Sequence, residues 1–165
     1  MGDDLKLLIF SDSHGTIDYM ANAVACEKPD YVIHLGDHAD DAERLRRKFP
    51  MLPMVGVKGN CDYSDFDTPE QRLVEYGGVR VLMAHGHRFG VKSGLLRYYL
   101  YAVENQVDVA LFGHTHCVYC EKKDSVWLMN PGSCGYGRSS YGVIEIQEGE
   151  INCSLRNGIK GEFVE

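Results

Sequence analysis

The chain contains five short apolar runs, and each run ends in a cluster of small, acidic or imidazole-bearing residues. The clusters are anchored at residues 12, 37, 60, 85 and 114, with separations of 25, 23, 25 and 29 residues. Each separation fits one strand plus one crossover segment. Because functional groups of open α/β sheets gather beyond the carboxyl ends of the strands, we expect all five clusters to meet along one rim.

Hydrophobic periodicity predicts alternating strands and helices in the first half of the chain and mostly strands in the second. Gly77-Gly78 separates two apolar runs and predicts a tight hairpin. So many strands in 165 residues favour two packed sheets over one long sheet. The sequence therefore predicts an α/β protein with two mixed β-sheets flanked by helices. No linker or repeat interrupts the pattern, so we expect residues 1–165 to form one domain.

Composition excludes several classes of protein. The chain is 44% hydrophobic, which excludes a disordered or low-complexity chain. Its formal charge of -7 argues against binding a long nucleic acid, because too few counterions would be released. No apolar run approaches the ~18 residues of a membrane span, and the acidic start of the chain does not match a signal peptide. We expect a cytoplasmic protein without a membrane partner.

Six cysteines are present, and without a secretory signal we expect them to be reduced. Cys117 and Cys120 form one C-x-x-C pair with no second pair to complete a zinc site. On a strand, side chains three positions apart point to opposite faces, so this pair is an unlikely metal site. We therefore do not assign a zinc site to this pair.

The five clusters instead supply the ligands that a catalytic metal centre needs. They offer carboxylate and amide oxygens and imidazole nitrogens, which suit Mn, Fe, Zn, Co or Ni. Seven such side chains are too many for one ion that keeps an open position, but they are enough for two ions that share a carboxylate. The seven candidates are Asp12, His14, Asp37, Asn60, His85, His114 and His116.

Charge arithmetic at such a centre favours an anionic substrate. Two divalent ions bring +4, Asp12 and Asp37 remove two charges, and a bridging hydroxide removes one. The net charge near +1 would attract a phosphate ester. Two ions about 4 Å apart can generate a hydroxide nucleophile and hold both sides of an in-line displacement. The pattern thus predicts hydrolysis at phosphorus without a covalent enzyme intermediate.

The clusters also resemble, in content and order, the motifs of the calcineurin-like metallophosphoesterase superfamily. Chain length and the later Asn130-Pro131-Gly132-Ser133 are similar to its small bacterial and archaeal phosphodiesterase branch. The resemblance spans roughly residues 5–133 and implies a four-layer αββα sandwich. The motifs that carry it are Asp12-Ser13-His14, Gly36-Asp37, Gly59-Asn60-Cys61-Asp62, His85-Gly86-His87 and Gly113-His114-Thr115-His116.

The resemblance implies a role for each candidate ligand. A first ion would be bound by one trio, Asp12, His14 and His116. A second ion would be bound by another trio, Asn60, His85 and His114. Asp37 would bridge the two ions, and their shared hydroxide would attack a phosphodiester. We expect two divalent transition-metal ions, with Mn favoured and Ni, Zn, Fe or Co as alternatives, and a small phosphoester as substrate.

One position departs from the commoner family pattern. Cys61 occupies the place of a histidine that stabilises the phosphoryl transition state or protonates the leaving group. A neutral thiol is a poor substitute for an imidazolium. Assistance to the leaving group could then come from His87, His38 or water. The candidate catalytic residues are the bridging Asp37, the proton donor His87 and the substituted position Cys61. The glycine-rich segment that follows residue 134 offers Arg138 as a further phosphate contact.

Several neighbouring polar residues have simpler interpretations. Asp40 and Asp62 are expected to support or cap the motifs rather than bind metal. Asp41 is interpreted as helix-start charge. His34 lies within an apolar run and is expected to be a hydrogen-bonded interior histidine. Ser133 either contacts substrate or shapes a turn near the rim.

Other functions remain open alongside the phosphodiesterase. A retromer subunit resembles this family and uses the domain for assembly, so a metal-binding interaction scaffold is one alternative. A phosphomonoesterase or nucleotidase is another, and a nuclease would use the same chemistry on a polymer. Tyrosines at 98, 99 and 101 belong either to a buried helix stripe or to an interface of a homo-oligomer.

Overall fold

The computed structural model describes residues 4–135 and 139–157, together with the backbone of residues 162–163. Arg138 lies outside the described residues. The described residues form three α-helices: α1 (Asp18–Glu27), α2 (Ala39–Lys48) and α3 (Leu96–Glu104). The strands are β1 (Leu5–Phe10), β2 (Tyr31–His34), β3 (Met54–Gly56), β4 (Gln71–Tyr76), β5 (Val79–Ala84), β6 (Val109–Leu111), β7 (Tyr119–Lys123), β8 (Val126–Asn130), β9 (Ser140–Gln147), β10 (Glu150–Asn157) and β11 (Glu162–Phe163).

The strands form two mixed sheets. The first sheet has the order β11-β10-β9-β1-β2-β3, and the second has the order β4-β5-β6-β8-β7. β1, β2 and β3 run parallel in the first sheet, while β9 runs antiparallel to β1. β5, β6 and β8 run parallel in the second sheet, with antiparallel strands at both of its edges. The parallel strands thus form one half of the first sheet and the centre of the second.

Alternation along β1 explains how the sheets stack. Leu7 and Ile9 point into a core between the two sheets, where they meet residues such as Val109. Leu8 and Phe10 point the other way and pack beneath α1 and α2. This period of two is what a strand covered on both faces requires.

The second sheet is covered in the same way. The outer face of β5 and β6 buries Leu82 and Ala110 beneath Tyr98 and Ala102 of α3. The layers are therefore helix, sheet, sheet and helix, which confirms the predicted αββα sandwich. Gly77 and Gly78 have φ of 57° and 83° and join β4 to β5 in the predicted hairpin. Among the described residues, no helix is long and apolar enough to cross a membrane.

Candidate metal centre

The first part of the site is the loop that follows β1. Asp12 is fully buried, and its backbone N–H donates to the Gly36 carbonyl (2.9 Å) at the end of the neighbouring strand. Its Oδ2 accepts hydrogen bonds from Ser11 Oγ (2.5 Å) and from the backbone N–H of His114 (3.2 Å). Asp12 therefore joins a loop of the first sheet to a loop of the second, with Oδ1 facing the space between them.

Asp37 follows β2 and is held just as closely. Its Oδ1 accepts the backbone N–H of Cys61 (2.9 Å), and its Oδ2 lies 3.4 Å from His85 Nε2. Gly59 fits against it because a β-carbon there would lie 2.3 Å from Asp37 Oδ1. Burial alone would raise the pKa of Asp37, but the neighbouring His85 and the N–H group of Cys61 outweigh it, so the pKa is lowered and the carboxyl is ionised at neutral pH.

His85 directly follows β5 and reaches across to the first sheet. Its Nδ1 lies 2.8 Å from the carbonyl oxygen of Leu35. Because a carbonyl can only accept, Nδ1 carries the proton. The other ring nitrogen, Nε2, faces Asp37 and also lies 3.8 Å from Asp12 Oδ1. Fixing one ring nitrogen in this way is how proteins orient a metal-binding imidazole.

The remaining imidazoles come from the loops after β1 and β6. His14 Nε2 and His116 Nε2 lie 3.3 Å apart, and His116 Nε2 lies 3.2 Å from Asp12 Oδ1. The His114 ring centroid lies 5.0 Å from that of His85. Burial is the largest cause of a lowered pKa at both His14 and His114, which favours the neutral form that can bind a metal.

The structure brings most of the predicted ligands together. Four side chains form a compact group, in which one ligand atom of each lies within 4.8 Å of the ligand atoms of the other three: Asp12, His14, Asp37 and His116. His85 lies next to two members of this group, Asp12 and Asp37. His114 touches this group through its backbone and lies beside His85. Asn60 is exposed, and its Nδ2 lies 3.7 Å from the Sγ of Cys61. Asn60 is linked to the group by its chain neighbour Cys61, whose backbone N–H donates to Asp37.

The backbone of the site is strained. Five of the seven candidate ligands have a positive φ between 53° and 69°, a region that side chains other than glycine rarely occupy; they are Asp12, His14, Asp37, His114 and His116. His38, beside Asp37, has a φ of 64°. Strain of this kind persists only where surrounding contacts hold it, and it clusters at functional sites. Here it points side chains from sharp turns toward a shared space.

A buried polar network supports the loop that carries His14. Asp41 is fully buried, and its Oδ2 accepts Ser13 Oγ (2.7 Å) and the backbone N–H of Gly15 (2.7 Å). Arg44 binds the other oxygen at 3.1 Å. Asp41 lies in the first turn of α2, as predicted, and its buried carboxylate also anchors the turn of residues 12–15.

His34 belongs to the same network, as predicted for an interior histidine. Its Nδ1 accepts the Gly36 N–H (3.1 Å), which leaves Nε2 protonated to donate to Ser13 Oγ (2.9 Å). The network thus links β2, the turn after β1 and the start of α2. Burial is the largest cause of the lowered pKa of His34, so this histidine is neutral.

Two further residues position the other loops. Asp62 accepts three backbone hydrogen bonds, from Asp37 and Gly59 at Oδ2 and from Ala39 at Oδ1. This supporting role is the one expected from the sequence. Asp40, by contrast, is 75% exposed and lies 3.9 Å from His38.

The segment of residues 130–133 forms hydrogen bonds to the loops that carry the candidate ligands. Asn130 donates to the Gly113 carbonyl (3.1 Å) and to Thr115 Oγ1 (2.9 Å), and accepts the Gly132 N–H (2.8 Å). Ser133 Oγ donates to the backbone carbonyl of Asp12 (2.8 Å). Ser133 is buried, so it shapes the turn rather than contacting substrate.

The donor set fits a divalent metal. Asp12 Oδ1 and His85 Nε2 are buried and have no hydrogen-bond partner within the described part of the chain. A buried polar atom left without a partner costs about 1–3 kcal/mol, so both atoms call for a ligand. The centre contains carboxylate oxygens and imidazole nitrogens and no thiolate ligand, as in catalytic sites rather than closed zinc cages.

His87 lies beside His85 and His114, whereas Cys61 lies beside Asp37. The His87 ring lies 5.6 Å from His85 and 6.1 Å from His114, and its Nδ1 is buried without a partner in the described residues. Burial and the neighbouring His85 lower the pKa of His87. Burial and Asp37 raise the pKa of the exposed Cys61, which keeps it a neutral thiol.

Comparisons with known proteins agree with this geometry. YsnB of Bacillus subtilis, a probable metallophosphoesterase, is 33% identical over 150 residues that cover 87% of this chain and 85% of its own. The phosphodiesterase YfcE of Escherichia coli is 29% identical over 171 residues that cover 86% of this chain and 88% of its own. Zinc-complexed wild-type Vps29 of Entamoeba histolytica shares the fold, with a TM-score of 0.80 at 18% identity and coverage of 97% and 96%.

A family model also matches most of the chain. The calcineurin-like phosphoesterase superfamily domain extends over residues 5–149, from the start of β1 to the turn before β10. That range includes every candidate ligand, the whole second sheet, and strands β1, β2, β3 and β9 of the first sheet. The chain therefore belongs to the calcineurin-like phosphoesterase superfamily.

Proposed function

We propose that this protein is a dimetal phosphodiesterase. The observation that carries the proposal is the convergence of Asp12, Asp37 and His85, from both sheets, on a space where two buried polar atoms have no hydrogen-bond partner among the described residues. One ion would be held by Asp12, His14, Asp37 and His116, and a second by Asp37, Asn60, His85 and His114. Asp37 is the bridging candidate because it contacts His85 and is also a member of the group of four.

The residues of the chain supply orientation and charge. When bound, two divalent ions supply a nucleophilic hydroxide near neutral pH and neutralise charge that develops on the phosphoryl group. The Cys61 N–H holds one oxygen of Asp37 and leaves the other toward His85. The Leu35 carbonyl keeps the proton of His85 on Nδ1. Neither ligand has to rearrange before it binds, which favours a preorganised centre.

We assign the leaving-group proton to His87. Its ring adjoins His85 and His114, and its Nδ1 has no protein partner among the described residues. Cys61 is the weaker candidate because its raised pKa makes the thiol a poor proton donor at neutral pH. Its hydrogen bond with Asp37 supports a positioning role instead.

The preference for diesters rests on the relatives. YfcE is named a phosphodiesterase, and it aligns with this chain over most of both lengths. Zinc in the Vps29 structure supports a site of this fold that accepts a transition metal. Manganese is our first candidate for this chain, because a ligand set of oxygen and imidazole without thiolate suits it.

Hydrolysis of bis-p-nitrophenyl phosphate and p-nitrophenyl phosphate by the metal-stripped protein tests the proposal. Mn²⁺, Zn²⁺, Ni²⁺, Co²⁺ and Mg²⁺ are added back separately, and bound metal is counted by mass spectrometry. We expect activity with a transition metal, preference for the diester and loss of activity in Asp37→Ala. Asp67→Ala, an exposed aspartate on a nearby loop, is the matched control and should retain activity.

The second candidate is a metal-binding interaction scaffold. Two observations favour it: the fold match to Vps29 and the thiol of Cys61 at the position of the usual histidine. Two bound ions without turnover of either ester would support the scaffold. Failure to bind any metal would contradict both candidates, since each depends on the same ligands.

A further inference from the structure

Helix α3 carries an apolar stripe on its solvent side. Leu96, Leu100 and Val103 are 61%, 52% and 47% exposed, although each is a large hydrophobic residue. Spacings of four and three residues place them on one face of the helix. We call these three residues the α3 stripe. Scattered exposed leucines are ordinary, but three on adjacent turns form a continuous apolar surface.

The packing of α3 excludes a rotation that would bury the stripe. Tyr98 and Ala102 lie on the opposite face and are fully buried, and the Tyr98 hydroxyl donates to the Leu111 carbonyl of β6. Gln71 of β4 donates to the Tyr101 hydroxyl (2.7 Å) on one flank. On the other flank, the Tyr99 hydroxyl donates to Asp124. The helix is therefore held on three sides, with the α3 stripe outward.

Two opposite charges border the stripe. Arg97 and Glu104 are seven residues apart, so they lie two turns apart on the same flank of α3. Both are exposed, and neither forms an ion pair with a described residue. In an antiparallel helix pair, residues of one flank meet the same flank of the partner helix. Arg97 would then face the partner's Glu104, and Glu104 would face the partner's Arg97.

We propose that α3 docks against α3 of a second copy of this chain, antiparallel and related by a two-fold axis near Leu100. A two-fold interface requires a patch that is complementary to itself. The α3 stripe supplies the apolar centre, and the Arg97–Glu104 pair supplies self-complementary charge. Leu73 of the edge strand β4, 42% exposed on the α3 side of the sheet, extends the apolar area.

Charge exchange provides the sharpest test, using sedimentation equilibrium on the full chain between about 1 and 100 µM. The wild type should be a dimer. Arg97→Glu and Glu104→Arg should each weaken self-association on the order of tenfold, because each turns two attractive contacts into repulsive ones. Arg97→Glu combined with Glu104→Arg in one chain should restore it. Mixing the two single variants should give a 1:1 heterodimer tighter than either homodimer.

Removal of the apolar centre gives an independent measurement. Leu100→Glu should raise the dimer dissociation constant at least ~30-fold, as for a central interface residue. Met51→Glu is the matched control, since Met51 is 93% exposed and lies beyond α2, and its dimerisation should equal that of the wild type. Equal circular dichroism and melting temperatures verify that both variants fold.

Three results would overturn the proposal. A wild-type monomer throughout the concentration range would leave the stripe to some other partner. A dimer that is unaffected by Leu100→Glu would place the interface elsewhere. A mixture of Arg97→Glu and Glu104→Arg that associates no better than the separate variants would refute the antiparallel pairing.

Discussion

Asp62 holds three backbone N–H groups around Asp37, although it is not among the candidate ligands. Its two oxygens accept N–H groups from Asp37 (2.9 Å), Gly59 (2.8 Å) and Ala39 (2.9 Å). In Asp62→Asn, the amide oxygen can keep two of these bonds, but the amide NH₂ then faces the third N–H. One bond is lost, and the other two lose their charge assistance.

The magnitude follows from these three bonds. A hydrogen bond to a charged acceptor contributes about 1.5–3 kcal/mol, and a neutral one contributes about half of that. Taken at the lower end of these ranges, the one lost bond and the two weakened bonds lower the free energy of unfolding by about 3 kcal/mol in Asp62→Asn. For a chain of this size, that loss corresponds to a fall in Tm of about 6–12 °C. Asp62→Ala should cost more, since it leaves all three N–H groups without an acceptor.

Thermal denaturation of the metal-free protein in EDTA measures this cost without any contribution from bound ions. Asp67→Asn is the control, because it makes the same chemical change on an exposed side chain five residues away and should alter stability by less than about 0.5 kcal/mol. A Tm for Asp62→Asn within about 2 °C of the wild type would refute the reasoning.

Three further perturbations follow from the same contacts. Asp41→Ala should lower the free energy of unfolding by about 3 kcal/mol in urea titrations, because buried donors lose their acceptor, whereas the exposed neighbour Asp40→Ala should change it by less than about 0.5 kcal/mol. Gly113→Ala places a β-carbon 2.0 Å from Ser11 Oγ, so the Mn²⁺ affinity measured by calorimetry should fall about 10–100-fold. An unchanged affinity would mean that the loop shifts without disturbing the ligands. Burial raises the pKa of Tyr76 to about 12, so its stabilising contribution is complete below pH 10 and is lost as pH rises through 12. Tyr76→Phe should therefore flatten the decline of the free energy of unfolding over this range by about 1.4 kcal/mol per pH unit. An identical slope in the wild type and the variant would contradict the assignment.

Local patterns predicted much of the fold. The charged helix Ala39–Lys48 and the Gly77-Gly78 hairpin form where expected, because periodicity and turn chemistry act over only a few residues. The rim of polar clusters was also predictable, since each cluster directly follows an apolar run. The short strand β11 was not predicted, because two residues carry no periodicity.

Long-range contacts account for what the sequence did not predict. Asp41 has the pattern of a helix-start acid, and only its contact with Ser13, 28 residues earlier, makes it a buried anchor. The exposure of the α3 stripe likewise depends on which face of α3 meets β6 and β8. The positive φ of His114 and His116 cannot be inferred from residue type, since only tertiary contacts hold such a conformation.

The origin of the ligands in both sheets has a consequence for how the protein opens. Asp12 and Asp37 belong to the first sheet, whereas His85 and His114 belong to the second. Separating the sheets must therefore release any bound ion, so metal binding acts as a reversible cross-link between the two halves of the sandwich. Free metal at 100 times its dissociation constant stabilises a folded protein by about 2.7 kcal/mol. The stability of the closed sandwich therefore depends on the free metal concentration around the protein.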